Sequence, residues 1–330
     1  MKEDGGTLPP LLNEKMKLKK INDIDNLDIL FELWNKEFGK IFPISKELFN
    51  RNIENIYHDA SFVALEDNEI VGFILGKIWN NNYSIDSYKD CGWISLIYVE
   101  PKHRKKGIGS LLIEKAINVF KKLNKKTIYI GRDVHNFFPG LPIDMIKDLP
   151  FYLKNGFEYS YQTHDLISKN NSLIPLKNNQ DLYTFRCATI EDKNNIINFI
   201  NKNWPGRWTY EVIEYFEKGG NGNEYFICLD NNKNICAFAK VCYPTTNIDL
   251  ISNSFTWYKR FLKPGGVGPL GVDPAYRGNH LGYDIVAGAV NELLKANVTE
   301  IIIDWTGLLE FYRKLGFEVW KSYSYLTLKI

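Results

Sequence analysis

Val99-Glu100-Pro101-Lys102-His103-Arg104-Lys105-Lys106-Gly107-Ile108-Gly109 is answered later in the chain by Val272-Asp273-Pro274-Ala275-Tyr276-Arg277-Gly278-Asn279-His280-Leu281-Gly282. The displacement is 173 positions (99 to 272), and it holds at Ile128-Tyr129-Ile130, which falls on Ile301-Ile302-Ile303. A second shared string, Phe151-Tyr152-Leu153-Lys154-Asn155-Gly156-Phe157 against Phe311-Tyr312-Arg313-Lys314-Leu315-Gly316-Phe317, is displaced by 160 (151 to 311). The first copy therefore carries 13 extra residues (173 less 160) between its apolar run and this string. Self-similarity over so long a period means one domain used twice.

Outward from these landmarks, each copy reads as mixed α/β. Trp93 to Val99 is a near-continuous apolar run, the pattern of a strand buried on both faces. Ser61–Leu65 and Ile70–Ile78 form a hairpin ahead of it, as do Tyr225–Leu229 and Ile235–Tyr243 in the second copy. Leu112, Ala116, Phe120 and Leu123 repeat at helical spacing after Gly109, as do Ile285, Ala289 and Leu293 after Gly282. Asn22 and Thr189 suit the caps of the opening helices, and Pro150 suits a first helical turn. The expected fold is an α/β (α+β) mixed sheet in two tandem domains, at 16–167 and 183–330. A polar linker at 168–182 joins them, and 1–15 is an extension.

Composition narrows the function. With 41 basic and 39 acidic side chains the net charge is +2, so nucleic-acid binding is not expected. No apolar run reaches the ~18 residues of a membrane span, and the first residues lack the apolar stretch of a signal peptide. The five cysteines contain no CxxC and the five histidines no HxxxH, so neither a disulfide framework nor a metal site is expected. A cytoplasmic protein without metal is the expectation. Cys228, Cys236 and Cys242 read as small core residues, and Trp204, Trp208, Tyr210 and Tyr215 as packing for helices.

A strand, then Arg104-Lys105-Lys106-Gly107-Ile108-Gly109-Ser110, then a helix makes a cradle for pyrophosphate. The glycines let the backbone approach a ligand, and the helix N-terminus and basic side chains favour an anion. A dinucleotide fingerprint would need a third glycine where Leu112 stands, and a Walker A loop would need Gly-Lys-Ser/Thr, which is absent. At this point the chain resembles the GNAT acyltransferase superfamily. That family's Arg/Gln-x-x-Gly-x-Gly/Ala after Val-x-Pro is matched by Arg104 to Gly109, and its Tyr-x-x-x-Gly-Phe by Tyr152–Phe157 and Tyr312–Phe317. More narrowly it is similar to bacterial tandem-GNAT proteins, through Phe137-Phe138-Pro139-Gly140 in the first copy and Asp304-Trp305-Thr306 in the second.

The resemblance implies acetyl transfer from acetyl-CoA to an amine by direct attack, on two tandem GNAT acyl-CoA N-acyltransferase domains. The cofactor residues it implies are Ile97, Tyr98 and Val99, where the family's central strands part, with Arg104 to Ser110, that is Arg104, Lys105, Lys106, Gly107, Ile108, Gly109 and Ser110. In the second copy they are Leu270, Val272, Arg277, Gly278, Asn279, His280, Leu281 and Gly282. Tyr152 and Tyr312 stand at the family's acid position, to protonate the leaving thiolate. His135 and Asp133, in the insert Gly131–Leu149, are candidate bases; the other reading of that insert is a loop folded onto its own core.

Departures separate the copies. His280 replaces the first motif glycine, Pro269 removes a backbone donor from the strand before it, and a frequent family asparagine is Met145 in one copy and Trp305 in the other. The first copy is thus the favoured cofactor site. The acceptor is expected to be a small-molecule or peptide amine, and a homodimer is left open. The alternative is a non-catalytic acyl-CoA-binding sensor or scaffold.

Overall fold

In the computed structural model, residues 16–178, 182–251, 257 and 260–330 are described; the expected extension at 1–15 and part of the expected linker, 179–181, lie outside them. The chain forms two compact units. The first takes its described residues from 16–80, 87–161 and 324–330, the second from 81–86 and 162–323.

The first unit contains β1 (Met16–Lys20), α1 (Asp28–Phe38), α2 (Lys46–Ile53), β2 (Phe62–Glu66), β3 (Glu69–Ile78) and β4 (Cys91–Val99). These are followed by α3 (Ile108–Lys122), β5 (Thr127–Ile130), the two-residue β6 (Leu141–Pro142) and α4 (Leu149–Lys154). Strands β1 to β4 are antiparallel neighbours, and β4 and β5 are parallel. Helix α3 lies on β2, β3 and β4, burying Leu112, Ala116 and Phe120 completely, as its apolar spacing requires.

The second unit repeats this with β8 (Tyr183–Cys187), α5 (Lys193–Asn203), α6 (Arg207–Glu217), β9 (Tyr225–Asp230), β10 (Ile235–Cys242) and β11 (Pro264–Val272). Next come α7 (Leu281–Lys295), β12 (Glu300–Thr306) and α8 (Leu309–Arg313), with β11 and β12 the parallel pair. The expected hairpins, helices and long buried strands are therefore present in both copies. Thr189 forms a capping box with Asp192 ahead of α5. Asn22 does not cap α1: it sits in a single turn, Ile21–Asp23, bonded to His58, and it is the Asn26 side chain that accepts the Asp28 N–H at 3.0 Å.

The strand that closes each sheet comes from the other copy's sequence. Strand β7 (Glu158–Ser168) ends the first copy, yet Gln162–Ser168 belongs to the second unit, where Ser168 pairs with Ile301 of β12. Strand β13 (Glu318–Lys329) ends the second copy, yet Ser324–Ile330 belongs to the first unit, where Thr327 pairs with Tyr129 of β5.

The feature that shapes the site is an interrupted pairing. Strand β4 pairs with β5 only over Cys91–Ile94, while its pairing with β3 continues to Val99. The chain leaves β5 at Gly131 and Arg132, both with positive φ (62° and 69°), because the insert crosses there: a Cβ on Gly131 would stand 2.3 Å from the Phe138 carbonyl oxygen. In the second unit β11 pairs with β12 only over Pro264–Gly266. Pro269, which has no N–H to give, lies within the β10–β11 register shift, between Val267, opposite Val241, and Leu270, opposite Ala239.

Candidate active site

In the first unit the gap left beyond Ile94 opens into a cavity of about 500 Å³. Its walls include the free flank of β4 from Ile94 to Val99, the loop residues Arg104, Lys105 and Gly107 to Ser110, and Tyr152 with Phe151 on α4. Trp34, Phe38, Phe138 and Met145 add apolar surface to its walls. The structure thus brings together the expected strand residues Ile97, Tyr98 and Val99, most of the expected loop, and the expected tyrosine. Lys106 is exposed and outside the wall.

The loop has its shape from two left-handed residues, Lys105 (φ 61°) and Gly107 (φ 85°), the latter immediately before α3. Arg104 is committed elsewhere. Its Nε donates to the Val99 carbonyl at 2.8 Å, and its Nη2 to both Glu37 carboxylate oxygens at 2.6 and 2.7 Å. That pairing fixes the loop against the end of β4 and α1. Tyr152 is buried, and burial, with the Asp148 carboxylate nearby, pushes its phenol well above the ordinary range. It holds its proton across neutral pH.

The insert packs on the core and also lines the cavity, through Phe138, Gly140 to Pro142, Met145 and Asp148. Phe137 and Phe138 are buried, and the Phe138 ring packs at 5.6 Å from Trp34 and 5.3 Å from Phe42. Neither candidate base reaches the cavity wall directly. His135 is buried 3.3 Å from the Arg51 guanidinium and is not among the residues lining the cavity. Asp133 is buried in an ion pair with Lys77, whose Nζ also donates to Asn52 at 2.5 Å. Asp133 is linked to the cavity through Ser95, whose hydroxyl, on the wall, donates to the two Asp133 oxygens at 3.1 and 3.2 Å.

Two clefts of the second unit take in the residues expected there. One, of about 650 Å³, is lined by Leu270 to Val272, Arg277, Gly278, His280 to Gly282 and Tyr312; Asn279 is outside that lining. The other, of about 380 Å³, is lined by Arg207, Trp208, Glu211, Val267 to Leu270, Asp304 to Thr306 and Tyr312. Leu270, Leu308 and Tyr312 border both. His280 adopts the left-handed conformation (φ 57°) that Gly107 has in the first copy. The Tyr312 phenol is pushed up to about 12 by burial and by the Asp304 carboxylate. Glu211 is paired with Arg207 at 2.7 Å, and the Arg207 guanidinium lies 4.8 Å from the Trp305 ring centre. Trp204 packs at 5.5 Å on Trp208, as expected of helix packing.

Sequence reasoning missed Trp34, Phe38, Asp148 and Phe151 in the first site, and Lys177, Glu211 and Lys314 in the second. A signal existed for Phe151 and for Lys314, which stand in the shared string, Phe151 matching Phe311 and Lys314 matching Lys154. Among the described residues there is no group of side chains able to hold a metal ion and no helix long and apolar enough to cross a membrane.

The sequence profile of the Acetyltransferase (GNAT) family matches residues 27–138 and again 193–317. An N-alpha-acetyltransferase of Saccharolobus solfataricus is 30% identical over 109 residues, 30% of this chain and 65% of that protein. The fungal glucosamine N-acetyltransferase region of a multi-domain GH3 β-N-acetylglucosaminidase has a similar structure (TM-score 0.84, 24% identity), covering 95% of this chain and 38% of that one. A tandem GNAT protein from the clavulanic acid biosynthesis pathway superposes with a TM-score of 0.64 at 13% identity, covering 95% of this chain and 98% of its own. This chain therefore spans less than two thirds of the first two relatives.

Proposed function

This chain belongs to the acetyltransferase (GNAT) family, matched in both copies, and from that premise we propose that it moves an acetyl group from acetyl-CoA to an amine. The observation that carries the proposal is the cavity between the unpaired flank of β4 and Tyr152, with the glycine loop at its rim. Residues 97–99 would pair with the amides of the pantetheine arm, and the loop from Lys105 to Ser110 would hold the pyrophosphate on its N–H groups. The first copy is the favoured cofactor site, since Gly107 puts no side chain into the loop at the position that His280 fills in the second. The acceptor is an amine on a small molecule or a peptide; of the relatives, one is named an N-alpha-acetyltransferase and another a glucosamine N-acetyltransferase region.

The amine nitrogen attacks the thioester carbonyl, and backbone N–H groups on the open flank of β4 stabilise the oxyanion. As the C–S bond breaks, Tyr152 gives its proton to the thiolate. The proton on nitrogen passes to the Ser95 oxygen as Ser95 gives its own to Asp133, and exchange with water restores both groups. Tyr152→Phe is expected to lower kcat about a hundred-fold while leaving CoA affinity unchanged. Release of free thiol with a panel of amines, beside equilibrium binding of CoA, measures both. Unchanged turnover with weakened binding would remove Tyr152 from this role. The largely apolar first cavity also supports a second reading, a CoA-binding sensor; binding without thiol release for any amine would select it.

A further inference from the structure

Asp284 is fully buried on the first turn of α7, and its carboxylate is taken up by the segment that leads from one copy to the next. It accepts the backbone N–H groups of Lys177 at 2.7 Å and Asn178 at 3.0 Å, and the Asn178 amide at 2.6 Å. The same amide reaches the Asn279 carbonyl in the glycine loop at 2.6 Å. Further along α7, the Asn291 side chain bonds both the N–H and the carbonyl of Ile174 at 2.8 Å. Residues 174–178 are thus clamped along a helix to which they are not adjacent in sequence.

The clamp places one side chain. Lys177 lines the 650 Å³ cleft, its Nζ 4.0 Å from the centre of the Tyr283 ring, and Arg277 and Lys314 line the same cleft. The first copy has Arg104-Lys105-Lys106 in its loop where the second has Arg277-Gly278-Asn279, so the second loop is two cations poorer. We propose that Lys177 makes up this deficit as a phosphate-binding residue of the second cleft, acting with Arg277 and Lys314 on a phosphate-bearing ligand of the coenzyme A type. Asp284 and Asn291 are positioning residues for it. A lysine reaches phosphate as a mobile point charge, which suits a residue delivered on a strap.

This inference does not depend on turnover in the first copy, and its test reads each copy by itself. Coenzyme A, 3′-dephospho-coenzyme A and pantetheine are titrated into the full chain while amide hydrogen exchange is followed on peptides spanning 276–284 and 104–112. Coenzyme A is expected to protect 276–284. In Lys177→Met, an exposed substitution, the half-saturating concentration for that peptide should rise about ten-fold, with peptide 104–112 and the pantetheine response unchanged. A penalty retained with the dephospho form assigns Lys177 to the pyrophosphate, and one lost with it assigns Lys177 to the 3′-phosphate. An unchanged midpoint in Lys177→Met, an equal shift on both peptides, or no protection of 276–284 by coenzyme A would each overturn the proposal. Failure of acetyl transfer alone would not touch it.

Discussion

Gly107 and Gly109 stand two positions apart in one motif and are needed for different reasons. Gly107 has φ 85° and open space where a Cβ would go, so its backbone conformation is what demands glycine. Gly109 is helical, and a Cβ there would stand 2.9 Å from the Phe151 ring. The first residue of the second shared string therefore packs on the last glycine of the first. In the other copy Phe311 approaches Gly282 less closely, at 3.9 Å. Asp165 shows a single residue setting a pH response. Buried in the second unit, it accepts from Tyr323 at 2.6 Å and from the Trp257 indole and Trp305 N–H at 3.1 Å, yet burial still pushes its carboxyl from 3.8 up to about 6. The folded state thus holds this proton more tightly than the unfolded chain. The resulting stabilisation is full below about pH 4 and is lost as the pH rises through 6, roughly 3 kcal/mol in all. Urea denaturation of wild type and Asp165→Asn should show their stability difference moving by that amount between pH 4 and 7; a flat difference refutes it. The glycine loop and both tyrosines were legible because their spacing is local. The Arg104–Glu37 pair was not, since nothing in the sequence ties a loop arginine to a helix so far upstream.

Strands and helices follow the hydrophobic pattern closely, because β4 and α3 bury nearly every apolar residue that the period assigns them. What the pattern does not contain is where a strand loses its neighbour. The parting of β4 from β5 comes from the turn at Gly131–Arg132 and the insert packed behind it. The insert itself was ambiguous in sequence, since two adjacent phenylalanines suit a lid as well as a core. Its Phe138 goes into the core, and Asp133 goes with it to meet Lys77 on β3. Ion-paired and only 2–3% exposed, these two charges tie β3 to the start of the insert. Lys77→Met, which strands a buried carboxylate, is expected to cost about 3–5 kcal/mol. Lys77→Met with Asp133→Leu should recover most of that loss. Urea midpoints of the single and double variants measure the coupling, and an additive pair would show that the ion pair is not the tie.

At the scale of the molecule, the duplication was plain from the 173-residue displacement, but the trading of closing strands was not. Each copy's last strand is as apolar and alternating as an ordinary edge strand, and no local signal says which sheet it completes. Residues 16–176 expressed alone would lack Ser324–Ile330 beside β5 and would carry Gln162–Ser168 with no β12 to receive it. Such a fragment is expected to associate or aggregate through the unpaired edge. Light scattering should show this, with recovery on mixing with 177–330; a stable, monomeric fragment would refute it. The trade also alters what the survival of each copy can tell us. A copy that had lost all turnover could not be discarded, because its final strand is part of its sibling's sheet. The persistence of the second copy is therefore no witness to chemistry in it; its closing strand alone would keep it in the gene.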